Sequence, residues 1–235
     1  AGSAVILAAP ADTSPTGTEK TFTLPTKDGD AGQILKTDGS GALSFTDNLS
    51  SGRNLVINGA MRVAQRTTSS PDNGYRTVDR MRSEGGVISV TQSQQTLSSG
   101  SPYDEGFRFF MRGAVTSTSS ANNTYYQIET RLESQDIAQS GWKYKDSSRD
   151  LVCSFWARSS LAGTYYAQYR AIDVNPFHIN KSFTLAADTW TKVEHVIPGH
   201  SSLVFDNDTG HGFQITIIPH YGTDFTDSGV AVNSW

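Results

Sequence analysis

The residues best suited to contact a ligand lie close together in 164–170, TYYAQYR. If this stretch is extended, side chains alternate between two faces. Tyr165 and Tyr169 then share one face, and Tyr166, Gln168 and Arg170 share the other. Tyrosine rings stack on the apolar faces of sugar rings, while amide and guanidinium groups reach hydroxyls. Trp142 offers a further ring. Tyr165, Tyr166, Gln168, Tyr169, Arg170 and Trp142 are therefore the candidate carbohydrate-binding residues. Aromatics on strands also serve as core or cross-strand pairs, and no local motif separates the two uses here. Trp156 and Trp190 are expected in the core.

Other chemistries find less support. Cleaving a polysaccharide needs two carboxylates flanking the scissile bond, roughly 5–9 Å apart. Glu129, Glu133 and Asp136 are near one another in sequence, and Asp206, Asp208, Asp224 and Asp227 crowd later loops. No spacing marks an acid paired with a nucleophile. The five histidines, His178, His195, His200, His211 and His220, show no zinc spacing. The DNDTGHG loop, 206–212, offers oxygen ligands without the closing Glu of an EF-hand. Cys153 is the single cysteine, so no intrachain disulfide forms. It sits in an apolar run, LVCSFW, as a small hydrophobe would. The expectation is no catalytic residue, no metal, no cofactor and no enzymatic activity.

Arginines cluster at 53, 62, 66, 76, 80 and 82, against Asp72, Asp79 and Glu84. One reading is contact with an acidic polysaccharide. The preferred one is structural: inter-subunit ion pairs and backbone contacts at a domain entry.

These residues must be held by strands. Charged residues are 18% of the 235, below the roughly 25% of ordinary globular chains. Ser, Thr, Gly and Asn fill the gap and favour turns and strands over helix. A net charge of −4 gives no field for nucleic acid. No apolar run approaches the roughly 18 residues that would cross a bilayer, so no membrane insertion is expected. Strand-like runs recur at 54–63, 76–82, 86–93, 106–117, 124–133, 151–158, 164–172, 179–186, 189–197 and 212–219. One short helix is expected near Ser134–Gln139, with Ser134 as N-cap. Ten such runs predict an all-β fold, a jelly-roll β-sandwich over 53–235.

The first 52 residues read differently. Phe22 and Leu24, Ile34 and Leu35, and Leu43 and Phe45 are short apolar steps separated by Asp28-Gly29, Gly32 and Asp38-Gly39 turns. So small a segment cannot bury its own core. Copies from neighbouring chains would supply one, and a three-fold assembly suits an extended stalk. These six residues are the expected trimer core. The strand-like VAVNSW before Trp235 leads to the expectation that the sandwich continues past that residue.

Two patterns resemble a known family. Thr21-Phe22-Thr23-Leu24-Pro25, Gly32-Gln33, Leu35 and Thr37-Asp38-Gly39-Ser40-Gly41 resemble a fibre repeat. Asn54-Leu55, Ile57-Asn58-Gly59-Ala60-Met61, Gln65-Arg66, Gly74-Tyr75 and Asp79-Arg80 resemble the entry to a carbohydrate-binding-like sandwich. Both are similar to tail-fibre proteins of marine bacteriophages, including cyanophages. Met81 departs from the pattern, which favours Trp there. The resemblance implies a virion tail-fibre location, a homotrimer, and contacts with other tail or fibre proteins. It also implies attachment to a host-surface polysaccharide. The alternatives are a purely structural connector and, more distantly, a glycan depolymerase.

Overall fold

A computed structural model describes residues 23–29, 33–47, 54–174, 176–226 and Trp235. Phe22, Arg53 and Asp227 lie outside the described residues. The chain divides into two units, Ala1–Ser50 and Ser51–Trp235.

In the first unit, β1 (Gln33–Thr37) and β2 (Leu43–Asp47) form an antiparallel hairpin. Its loop is built by side chains. Asp38 Oδ1 accepts the amides of Ser40 (2.8 Å) and Ala42 (3.0 Å), and Thr37 Oγ1 accepts that of Gly39 (3.1 Å). Gly39 has φ 84°, a conformation that favours glycine. Leu35 pairs with Phe45 across the ribbon, and Thr37 with Leu43. Leu24, Ile34 and Leu35 remain 46, 47 and 50% exposed within the single chain.

The second unit is all-β with antiparallel pairing, as expected. Its strands are β3 (Ser69–Ser70), β4 (Met81–Gly86), β5 (Ser89–Thr96), β6 (Phe109–Ser117), β7 (Tyr125–Glu133), β8 (Asp150–Ala157), β9 (Gly163–Ala171), β10 (Phe177–Leu185), β11 (Thr191–Pro198) and β12 (His211–Tyr221). The five-stranded sheet runs β10-β9-β12-β7-β4. The ribbon β11-β8 and the three-stranded sheet β3-β5-β6 complete the unit.

Alternation along β9 sets the core. Tyr165, Ala167, Tyr169 and Ala171 turn inward. They meet Ile179, Phe183 and Leu185 of β10, Phe213 and Ile215 of β12, and Val193 and Ile197 of β11. A smaller cluster of Val78, Met81 and Met111 joins β4 to β6. Backbone closeness forbids side chains at some turns. A Cβ on Gly199 would come within 2.3 Å of the Asp146 carbonyl oxygen.

Three local expectations are corrected. Residues 54–63 form turns, not a strand: Asn58 and Met61 have φ 59° and 55°. Most of 76–82 is likewise turn, with β4 starting at Met81. The short helix α1 (Ser134–Ala138) exists, but Glu133 is its N-cap. The Ser134 hydroxyl instead donates to the Asp173 carboxylate.

Candidate functional site

Residues on the strand positions opposite the core form the outer face of the five-stranded sheet. Cross-strand register puts them in rows. One row reads Arg82–Glu129–Thr216–Gln168–Asn180, and the next reads Arg131–Gln214–Arg170–His178. Tyr166 sits opposite Ser182 and Ile218 in a third. This face is polar throughout apart from Ile218.

Glu129 is its electrostatic centre, 2% exposed. Its Oε1 accepts from Arg82 Nη1 (2.7 Å) and from Arg131 Nε (3.0 Å) and Nη2 (2.7 Å). Its Oε2 accepts from Gln214 (2.7 Å) and Gln127 (3.1 Å). Arg82 also pairs with Glu84 at 2.7 Å. Both carboxylate oxygens are thus occupied, so Glu129 is a positioning residue that fixes the two guanidiniums. Arg170, by contrast, has no ion-pair partner among the described residues.

At the β7 end the face runs into an open groove with two chambers that share Tyr75 and Arg80. The first, about 190 Å³, is lined by Arg131, Leu132, Glu133, Thr209, Gly210 and His211. The second, about 540 Å³, is lined by Ile57, Asn58, Val63, Arg66 and Asp79. Asn58 knits the second wall together. Its amide donates to the Val63 and Asp79 carbonyls (2.9 Å each), and its Oδ1 accepts the Val63 amide (3.1 Å). Asp79 accepts the Gln65 amide at 3.2 Å and meets Arg66 at 3.5 Å. Arg80 lies at φ 69°, with its guanidinium 3.8 Å from Glu133. Burial pushes the His211 pKa down; Arg131 and Arg170 add to this, and Glu129 opposes it. Its Nε2 is buried and has no hydrogen-bond partner among the described residues.

The candidate residues therefore separate. Tyr166, at 42% exposed, stands on the outer face with Gln168 and Arg170. Tyr169 is 0% exposed, and its hydroxyl meets His195 Nδ1 at 2.8 Å. It is corrected from ligand contact to core. Tyr165 is corrected likewise: it stacks on Phe183, and its hydroxyl donates to the Leu161 carbonyl at 2.8 Å. Trp142 packs against Phe205 and Phe213 at the core's margin, its indole donating to the Arg149 carbonyl. The carboxylates Asp173, Asp206 and Asp208 come together; burial and the two neighbouring acids raise the Asp206 pKa. No cluster able to hold a metal occurs among the described residues. Burial raises the Cys153 pKa, with the Tyr169 hydroxyl nearby.

No family model matches the chain, and no curated protein does. Among solved structures it is similar to the enzymatically active domain of tailspike protein 4 of bacteriophage CBA120. The TM-score is 0.41 at 13% identity, over 72% of this chain and 20% of that one. The expectation that the chain is not an enzyme is corrected here: the structure it resembles is an enzymatically active domain, and that expectation is carried no further. At this level of likeness no reaction, substrate or residue role passes from that domain to this chain.

Proposed function

We propose that this chain is a subunit of a phage tail fibre or tailspike whose sandwich attaches to host-surface polysaccharide. The observation that carries the reading is the outer face of the five-stranded sheet. There Tyr166, Gln168 and Arg170 stand beside His178 and Asn180 on the neighbouring strand. A ring for stacking, flanked by amides and by a guanidinium with no ion-pair partner among the described residues, is the chemistry that holds a sugar chain. The patterns around Thr21–Gly41 and Asn54–Arg80 support the tail-fibre assignment.

Replacing Tyr166 and Arg170 together by Ala is expected to weaken binding to host cells or arrayed glycans at least tenfold, since a ring stack and a charged hydrogen bond each contribute about 1–3 kcal/mol. The same incubation reads any cleavage of the polysaccharide. Binding by neither the native chain nor the variant, to any glycan or cell, sinks the reading.

The hairpin unit supplies the second part of the proposal, a homotrimer. Leu24, Ile34 and Leu35 are about half exposed, so a shared core between copies would bury them. Three weak sugar sites then act with avidity. Light scattering on the purified chain is expected to give three times the 25.4 kDa chain mass. A stable monomer at micromolar concentration removes this part.

A further inference from the structure

The outer face is not uniform in charge, and its β7 end is built for a particular kind of sugar. We infer that the groove at Tyr75 and Arg80 is a subsite for an acidic saccharide, with the sugar's anionic group over Arg80 and Arg131. This rests on the polysaccharide reading above and narrows it to a substrate class.

Four observations converge. Arg131 spends Nε and Nη2 on Glu129, and its Nη1 donates to no group among the described residues. Arg80 is half exposed, and its contact with Glu133, at 3.8 Å, is too long and too wet to neutralise it. Two guanidiniums on one small chamber, against the single carboxylate of Glu133, match an oxyanion with several lone pairs. The chamber's volume of about 190 Å³ falls below the roughly 300–1,000 Å³ of sites for drug-sized ligands. It suits one substituted sugar ring.

The adjoining chamber supplies what the rest of a chain needs. Ile57 and Val63, 49% and 43% exposed, form an apolar wall against which the face of a neighbouring ring lies. Tyr75, common to both chambers, stands between the two rings. Carboxylate and sulfate share the required chemistry.

The imidazole gives a second readout. His211 faces Arg131, Glu129 and Glu133 from β7, Arg170 from β9, and Tyr75 and Arg80 from the loops. Burial first, and then the Arg131 and Arg170 cations, hold this imidazole's pKa down, and an anion seated over Arg131 offsets the cationic part. Its proton affinity rises in the complex, so binding takes up protons and tightens as the solution is acidified toward the depressed pKa of the free protein.

Calorimetry on the full chain would use polygalacturonate for carboxylate, dextran sulfate for sulfate and dextran as the neutral arm. At least one polyanion is expected to bind more tightly than dextran. Arg80→Gln weakens that binding about tenfold, the loss of one charge-assisted hydrogen bond. Arg80→Lys retains most of it. Thr209→Glu, at an exposed position on the chamber wall, weakens it without touching either arginine and so guards against misfolding of the Arg80 variants. His211→Gln removes the pH dependence. Arg112, exposed on β6 away from the groove, serves as control. Equal loss in Arg112→Gln would mean diffuse attraction and would overturn the subsite. Dextran binding as well as the polyanions overturns it too, while leaving glycan attachment standing. Failure of all three probes, with host cells still bound, overturns the subsite alone; failure on cells as well overturns both.

Discussion

Glu129→Ala is expected to cost about 3 kcal/mol of folding stability, read as a shift in the urea midpoint at unchanged slope. Removing one partner of a buried ion pair leaves its counter-charges uncompensated, a loss of about 3–5 kcal/mol in well-buried cases. Here the carboxylate is almost fully buried, but the side chains of Arg82 and Arg131 are 27% and 38% exposed. Water reaches those guanidiniums after the truncation, which places the loss at the lower end. The Gln214 and Gln127 amides lose an acceptor as well. Glu129→Gln keeps the shape and one acceptor oxygen while losing the charge, so about half the cost is expected. The two variants also differ in a way that bears on function. Without the carboxylate, nothing holds Arg131 at the groove, and polyanion binding falls with stability. A loss below 1 kcal/mol in Glu129→Ala would show that the row of charges on the outer face is decoration on a sheet held by its core.

The strands carrying the outer face were legible because apolar and polar residues alternate along most of their length. In β9 every second residue from Tyr165 to Ala171 is apolar and turned inward; in β10 Lys181 interrupts the same pattern, and in β12 Gly212–Thr216 is buried on both faces. Period two names two faces without saying which is buried, and both faces of β9 carry tyrosine. A deciding signal was nevertheless present. Tyr165 and Tyr169 share their face with Ala167 and Ala171, which leave room for a facing layer, whereas Tyr166 shares its face with Gln and Arg. The turns around Asn58 and Asp79 were misread because their apolar residues imitate strands. Asn58-Gly59 is itself a turn signal, and side-chain bonds from Asn58 to Val63 and Asp79 override the strand propensity of Val and Ile. The groove had no local signature. It draws on residues 57–80, 131–133 and 209–211, which only the pairing of β7 with β4 and β12 brings together. The cluster of early arginines hinted at it. Arg66 and Arg80 do make ion pairs within the chain, but at 3.5 and 3.8 Å and half exposed these contribute little.

Tyr169→Ala is expected to cost about 3–5 kcal/mol, the range for deleting a buried aromatic side chain. Tyr169→Phe separates the ring from its hydroxyl. The ring fills the space between β9 and β11, while the hydroxyl shares a hydrogen bond with His195 Nδ1 at 2.8 Å. Without the hydroxyl, Nδ1 loses its partner in a site where the ring is buried, and a loss of about 1–3 kcal/mol follows. The pH dependence of the native protein tests the same arrangement. Burial pushes the His195 pKa down, and Lys181 adds to this against the pull of Ser182. The folded pKa therefore lies below the unfolded value near 6.5, and the unfolded chain binds the extra proton. His195 contributes its full stability above about pH 6.5. That contribution falls by up to about 1.4 kcal/mol per pH unit as the solution is acidified toward the folded pKa. Burial depresses His211 in the same sense, so the two act together. The Tyr169 hydroxyl and Cys153 thiol, both raised by burial, stay protonated throughout and do not blur the profile. Replacing His195 by Gln should flatten the slope between pH 7 and 5 relative to the native chain. An unchanged slope would mean that the ring is reached by water and that the Tyr169–His195 contact is not the closed, buried pair on which the core of this sandwich is built.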